Sequence, residues 1–531
     1  MKILIPTALG LTLLSSVLSA ADKDSRPNIV FLLADDLRYD SLGFLKKFEL
    51  QTPQLDSLAK QGVRFTRSYN TTAICMASRA QIMTGRYEFS TGTNFSHGNM
   101  SHDIWQQSYP VQLKKNGYFT GFAGKFGFHV NAADGGKGKS EVVKPAFDWW
   151  SGWMGQGSYD ISENKEADAW IKEHGSKKEH TTYALGQLGQ DFIKKGVESG
   201  KPFCLSISFK APHTPYATDP RYDAIYKDKT FTKPENYGVE NAEHIPSNAK
   251  ASRPFASKGR TWLKGYDKAM SQYHTMVYGM DVAIGLILDQ LKTSGVDDNT
   301  IVIFTSDNGH FNGSKAMGGK ILAYEEGSLA PTIIYDPRTK SSETFRTNDA
   351  LTGNIDFANT ILDYAGLPAS KGTQGKSMLT LLKDKAATIH DSLMLINVWG
   401  APASQSLSVV TAKHKYIHWF YGAGDYTRTE ELYDMRKDRI EQNNLAKNPE
   451  HKAQLEAMQK LYDSYLGRWK SEGVANNGYS KYVRLGDRNL PFDQNSPEDI
   501  KNMADPKDLK EAKDGKKDNK KKAKKNKAEN A

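Results

Sequence analysis

Cysteine is nearly absent from this 531-residue chain, which holds only Cys75 and Cys204. Two thiols exclude a scaffold built on disulfides. Long apolar runs are equally scarce: beyond Ile3 to Leu18 no segment is long and apolar enough to cross a bilayer. No internal repeat runs through the sequence. What is plentiful is glycine, at 44 residues, and aromatic side chains, at 11%. That composition fits an α/β enzyme with binding loops and excludes a coiled coil or a disordered chain.

The ends of the chain carry their own signals. Met1-Lys2, the apolar run to Leu18 and the small residues Ser19-Ala20-Ala21 have the layout of a secretory signal peptide over 1–21. An exported protein, periplasmic or extracellular and without stable membrane insertion, is expected. The net charge of +10 is unevenly spread. Pro506 to Ala531 holds eleven lysines against five acidic residues, six of the ten net charges. A Lys-rich, disordered tail over 486–531 is expected, either a solubilising appendage or a tether to an anionic surface. The charge left to the rest of the chain does not call for nucleic acid.

Between these ends the chain reads as alternating strands and helices. Pro27 to Asp36 is an apolar run closed by two carboxylates, as is Thr300 to Asn308, closed by Asp307 and Asn308. Such runs suit strands buried on both faces of a parallel sheet, whose C-terminal ends are where ligands gather. Val63 to Tyr69 reads as a further strand, Gly117 to Lys125 as another, and Phe203 to Phe209 as a third with Cys204 in its core. Helices are expected at Tyr266–Leu291, Ile355–Leu367 and Lys452–Trp469. Trp149-Trp150-Ser151-Gly152-Trp153 suits either a sugar-stacking loop or core padding.

Thr72 to Arg86 is the stretch around which the rest is organised. It reads as a turn entering a helix, with Cys75 at the helix N-terminus, where free N–H groups favour negative charge. Arg79 lies one turn further on, on the same face. Cys75-Met76-Ala77-Ser78-Arg79, followed by Thr84-Gly85-Arg86, resembles the maturation motif of the type I, formylglycine-dependent sulfatases. Asp35-Asp36, Gly124-Lys125, Pro212-His213-Thr214-Pro215, Ser306-Asp307-Asn308-Gly309 and Gly319-Lys320 resemble further segments of that family, and the resemblance covers about 26–469.

The resemblance implies a fold and a chemistry. The fold is an α/β/α sandwich with a mostly parallel central sheet over 26–370, followed by a small C-terminal α+β subdomain with an antiparallel sheet over 371–485. Cys75 is implied to become formylglycine through a maturation enzyme, of the radical type for a motif with Ala77. The hydrated aldehyde then offers one hydroxyl to attack sulfur and a second to release sulfate. Asp35, Asp36, Asp307, Asn308 and the oxygen of the modified Cys75 form an oxygen-only ligand set, which selects a hard cation, calcium ahead of magnesium. Arg79 is implied to hold the diol, Lys125 and Lys320 the sulfate oxygens, and His213 to act as general acid. The family carries a histidine two residues past the lysine, where this chain has Gly127. His129 is the expected replacement as base; the alternatives are His97, His102 or a role left unfilled. The expected substrate is a sulfated carbohydrate. Competing readings are a phosphomono- or diesterase of the same superfamily, an inactive polyanion-binding relative, and a Cys75–Cys204 disulfide.

Overall fold

Two seven-residue apolar runs form the spine of the protein, buried along their whole length. The computed structural model describes residues 25–489 apart from 137, 139, 340 and 423–428. The expected signal peptide over 1–21 and residues 490–531 of the expected tail lie outside the described residues. In chain order the strands are β1 (Asn28–Ala34), β2 (Val63–Phe65), β3 (Ser68–Tyr69), β4 (Phe119–Lys125), β5 (Trp149–Trp153), β6 (Phe203–Ser208), β7 (Thr300–Ser306), β8 (Thr332–Tyr335), β9 (Arg346–Asn348) and β10 (Thr352–Gly353). They are followed by β11 (Ser392–Asn397), β12 (Ser406–Thr411), β13 (His414–Trp419) and β14 (Glu430–Asp434).

The main sheet has eight strands in the order β5-β4-β6-β1-β7-β8-β2-β9, and only the pairings of β8 are antiparallel. Helices cover both faces. Val30, Leu32 and Ala34 pack with helices Pro53–Gln61, Thr181–Glu198 and Tyr266–Thr293. Ile29, Phe31 and Leu33 pack with Cys75–Thr84, Tyr109–Lys115 and Phe357–Tyr364 on the other side. Burial on both faces is why β1 and β7 read as continuous apolar runs and not as alternating ones.

Three local expectations are revised. Val63 to Tyr69 is split: β2 joins the main sheet, while β3 pairs with β10 in a two-stranded sheet. Trp149, Trp150 and Trp153 belong to edge strand β5 and are buried, with Trp150 stacked on Phe122 at 5.3 Å. They are core, not a sugar platform. Cys75 and Cys204 are both free and buried, Cys204 within the central strand β6, so the disulfide alternative is not formed.

The four antiparallel strands β11-β12-β13-β14, with helix Lys452–Glu472 against them, form the smaller unit. Its apolar cluster is shared with Tyr69, Ile74 and Tyr324 of the larger one. A buried set of charges also crosses the seam. Lys415 on β13 donates to Glu325 at 2.6 Å, to Glu441 at 2.7 Å and to the Ala323 carbonyl at 2.9 Å. Lys315 pairs with Glu326 at 3.0 Å and reaches Glu441 at 3.6 Å. Glu325 and Glu326 follow Lys320 by five and six residues, so the small unit anchors the segment that carries that lysine.

Removing one partner of a buried ion set leaves uncompensated charge, at a cost of about 3–5 kcal/mol. Lys415→Met is therefore expected to lower the denaturation midpoint markedly. An unchanged midpoint would mean that the charges do not hold the two units together.

Candidate active site

The parallel register of β1 against β7 brings Ala34 opposite Ser306, which sets the next residues of both strands side by side. Asp307 N–H donates to the Ala34 carbonyl at 3.1 Å, and Asn308 Nδ2 donates to Asp36 Oδ1 at 2.6 Å. The neighbouring strand β6 continues into Ala211, whose carbonyl accepts from Asp35 N–H at 3.1 Å. Asp36 turns through a positive φ of 68°. Two pairs of carboxylate and amide groups, 272 residues apart in the chain, thus meet at the strand ends.

Cys75 is the first residue of helix Cys75–Thr84, every residue of which is buried. Its Sγ lies 3.3 Å from Asp35 Oδ1 and 2.8 Å from Lys320 Nζ. One turn on, Arg79 donates through Nε to Asp307 Oδ2 at 2.7 Å and through Nη1 to the Lys125 carbonyl at 2.6 Å, with Nη2 3.4 Å from Asp35. Lys125 Nζ joins Asp35 and also reaches Gln156 Oε1 at 2.6 Å. Lys320 Nζ joins Asp36 and stands 3.7 Å from Asp35. His213 Nε2 faces Asp36 Oδ2 at 3.8 Å, and its Nδ1–H donates to the Thr214 carbonyl.

Burial and charge act against one another here. Burial opposes ionisation of Asp35, but Lys125, His213, Lys320 and Arg79 outweigh it and hold its carboxyl well below the usual range. Asp36 moves the same way, against burial, chiefly through Lys320. Burial, with Asp35 beside it, pushes Asp307 up to about 6. Burial pushes the Cys75 thiol up to about 12, so the unmodified side chain is not a thiolate at neutral pH. His213 is pushed down to about 4 by burial, and its imidazole is neutral in this arrangement, not poised near 6.5 as expected from its ordinary value.

The site has the donor groups to hold a metal ion. Ligand atoms of Asp35, Asp36, Cys75 and His213 lie within 4.8 Å of one another. Asn308 Oδ1 is buried beside them without a hydrogen-bond partner, and such an oxygen is costly to leave unmatched.

Gly127, where a histidine was expected, packs directly against Arg79. A Cβ built there would stand 2.5 Å from Arg79 Cδ, at a φ of +85°. Arg79 occupies that space. The chain then turns Phe126 and Phe128 into the core, and the structure does not bring His129 to the cluster. The alternatives are placed elsewhere too: His97 packs against Tyr479 and Tyr482, and His102 lies beside Asp103.

Sequence reasoning missed two contributors. His310, immediately after Asp307-Asn308-Gly309, is buried at the cavity. Its Nε2 accepts from Gly319 N–H at 3.0 Å and its Nδ1 pairs with Asn312, so it clamps the turn that carries Lys320. Its position beside the acidic motif was a usable signal. Gln156, which braces Lys125, comes from a loop without any recognisable pattern.

A parallel α/β/α sheet with acid and amide oxygens at two strand ends, facing a cysteine at a helix N-terminus, defines a hydrolase of the alkaline-phosphatase-like superfamily. Within it, the chain belongs to the sulfatase family: the Sulfatase family model matches residues 27–367. A second model, N-sulphoglucosamine sulphohydrolase, C-terminal, matches 313–465. The protein is a type I sulfatase, a sulfuric ester hydrolase. It is 27% identical over 526 residues to an N-acetylglucosamine-6-O-sulfatase of Bacteroides thetaiotaomicron, covering 87% of this chain and 90% of that one. It is 25% identical over 491 residues to an ulvan-active sulfatase of Formosa agariphila, covering 90% and 87%. A solved structure of a protein in complex with its substrate D-glucosamine-2-N,6-O-disulfate matches with a TM-score of 0.70 at 25% identity, covering 84% of this chain and 98% of that one.

If Gly127 exists to admit Arg79, then Gly127→Ala should displace the guanidinium and cost about 10²-fold in kcat. Gly135→Ala is the control, since Gly135 has a φ of +82° but nothing within 4 Å of its Cβ position. It adds only backbone strain of about 1–2 kcal/mol. Equal losses in the two variants would contradict the assignment.

Proposed function

We propose that this protein is an exported enzyme that removes sulfate from a carbohydrate ester, with Cys75 matured to formylglycine and calcium held by Asp35, Asp36, Asp307, Asn308 and residue 75. The observation that carries the reading is the contact of Cys75 Sγ with Lys320 Nζ at 2.8 Å, directly beside Asp35. A reacting atom at residue 75 therefore sits between a cation suited to sulfate oxygens and oxygens suited to a metal. The carbohydrate substrate is supported by the relatives, whose names specify N-acetylglucosamine 6-sulfate and ulvan. Export is supported by the signal-like N-terminus, and among the described residues no helix is long and apolar enough to cross a membrane.

When bound, calcium supplies positive charge to a sulfate oxygen and to the nucleophile, and the hydrated formylglycine supplies the attacking hydroxyl and a second one for sulfate release. The chain does the remainder. Lys125 and Lys320 bind sulfate oxygens by charge-assisted hydrogen bonds. Arg79, fixed by Asp307 and the Lys125 carbonyl, keeps residue 75 oriented. With Nδ1–H committed to the Thr214 carbonyl, Nε2 of His213 is the atom that handles the proton of the leaving oxygen. An anionic ester beside the buried imidazole favours its protonated form.

His213→Ala is expected to lower kcat by about 10²- to 10⁴-fold; an unchanged kcat would remove it from the reaction. The function itself is tested with 4-nitrophenyl sulfate and 4-nitrophenyl phosphate on protein from the native host. Faster hydrolysis of the sulfate ester, lost on chelation and restored by calcium, is expected. Preference for the phosphate ester, or restoration by zinc in place of calcium, would contradict it.

A further inference from the structure

Above the reaction centre is a cavity of about 490 Å³ whose floor is Cys75, Asp36, His213 and Lys320. Its outer wall holds two cations that sulfate hydrolysis does not use. Arg253 and Lys258 flank and close the π-helical turn Pro254–Lys258. Their situation is unlike that of Arg79, Lys125 and Lys320, each of which is paired with a carboxylate. Among the described residues neither Arg253 nor Lys258 forms an ion pair or a side-chain hydrogen bond.

Lys258 is half-buried, and its stem lies along the turn that leads to Lys320, since a Cβ on Gly319 would stand 3.8 Å from Lys258 Cγ. Burial, and Arg253 close by, lower its affinity for a proton. Asp36 opposes that shift, but among the described residues no carboxylate forms an ion pair with either cation.

An apolar surface adjoins the pair. The Arg253 guanidinium lies 6.0 Å from the Trp399 ring centroid, and Phe95, 41% exposed, lies 6.3 Å from the same ring. The exposed Phe95 ring and the partly buried Trp399, beside cations that lack an ion-pair partner, suit a ligand with one apolar face and a charged edge. A sugar ring bearing an anionic substituent has that form. A singly sulfated sugar places its one charge on the floor of the cavity and leaves Arg253 and Lys258 unmatched.

We propose that the substrate carries a second anionic group, a sulfate or a carboxylate, bound by Arg253 and Lys258 while Trp399 and Phe95 take the face of the sugar. This rests on the sulfatase reading and narrows it to polyanionic saccharides. Arg253 supplies a planar fork and Lys258 a point charge, a pair suited to either oxyanion.

Calorimetry tests the inference without turnover. Three saccharides are titrated into the protein: N-acetylglucosamine-6-sulfate, glucosamine-2-N,6-O-disulfate, and 6-sulfated N-acetylglucosamine linked to a uronic acid. At least one of the two dianions is expected to bind about ten-fold or more tightly than the monoanion, the gain of one charged hydrogen-bonded contact. Which dianion gains tells a second sulfate from a carboxylate. Arg253→Gln and Lys258→Gln should each reduce that ratio toward one, with thermal midpoints close to wild type because both side chains reach solvent. Equal affinity for all three, absence of binding, or an undiminished ratio in both variants would overturn the proposal. Sulfate release from N-acetylglucosamine-6-sulfate is measured alongside. Its absence with the binding ratio intact would count against sulfate hydrolysis and not against this site.

Discussion

Three carboxylates, Asp35, Asp36 and Asp307, stand almost without water against three cations, Arg79, Lys125 and Lys320. Taking so many charges out of solvent is among the most expensive things a fold can do, and apolar residues of similar size would usually be more stable. The structure meets that cost through register. β1 and β7 are neighbours with Ala34 opposite Ser306, so the acids arrive together, and helix Cys75–Thr84 brings Cys75 and Arg79 to them in a single turn. A cluster that is costly for stability yet over-determined in geometry is typical of a site kept for chemistry.

The rest of the molecule supports this point at increasing distance. His310 clamps the turn of Lys320, and Gln156 braces Lys125. Farther out, Lys415 and Lys315 tie Glu325, Glu326 and Glu441 across the seam between the two sheets. The small C-terminal unit therefore does more than cap the large one: it fixes the segment from which Lys320 is delivered. Among the described residues Arg253 and Lys258 in the cavity wall have no such carboxylate partners.

The sequence made the core of the site legible because its chemistry lies at strand ends. An apolar run closed by Asp35-Asp36, a second closed by Asp307-Asn308, and Cys75 four residues before Arg79 each carry a local pattern, and a parallel sheet has few ways to arrange them. Contacts that depend on packing were not legible. Gly127 stands where a histidine was expected, and that it packs directly against Arg79 could not be read from the sequence. Trp149, Trp150 and Trp153 looked equally like loop or core, because three aromatic residues in five do not reveal which layer will cover them. Arg253 and Lys258 sit in a stretch without motif, and their position in the cavity wall, without an ion-pair partner among the described residues, distinguishes them from other surface cations.

The account turns on residue 75. As a cysteine it is a buried, protonated thiol with one heteroatom to offer, whereas the proposed route transfers and releases sulfate through two hydroxyls on one carbon. The direct measurement is peptide mass spectrometry of the tryptic fragment from Ser68 to Arg79, from protein made in its native host. A mass below that of the thiol peptide by the difference between SH2 and O is the predicted result. An unmodified thiol in active protein, or a fragment joined to the peptide that contains Cys204, would contradict the account.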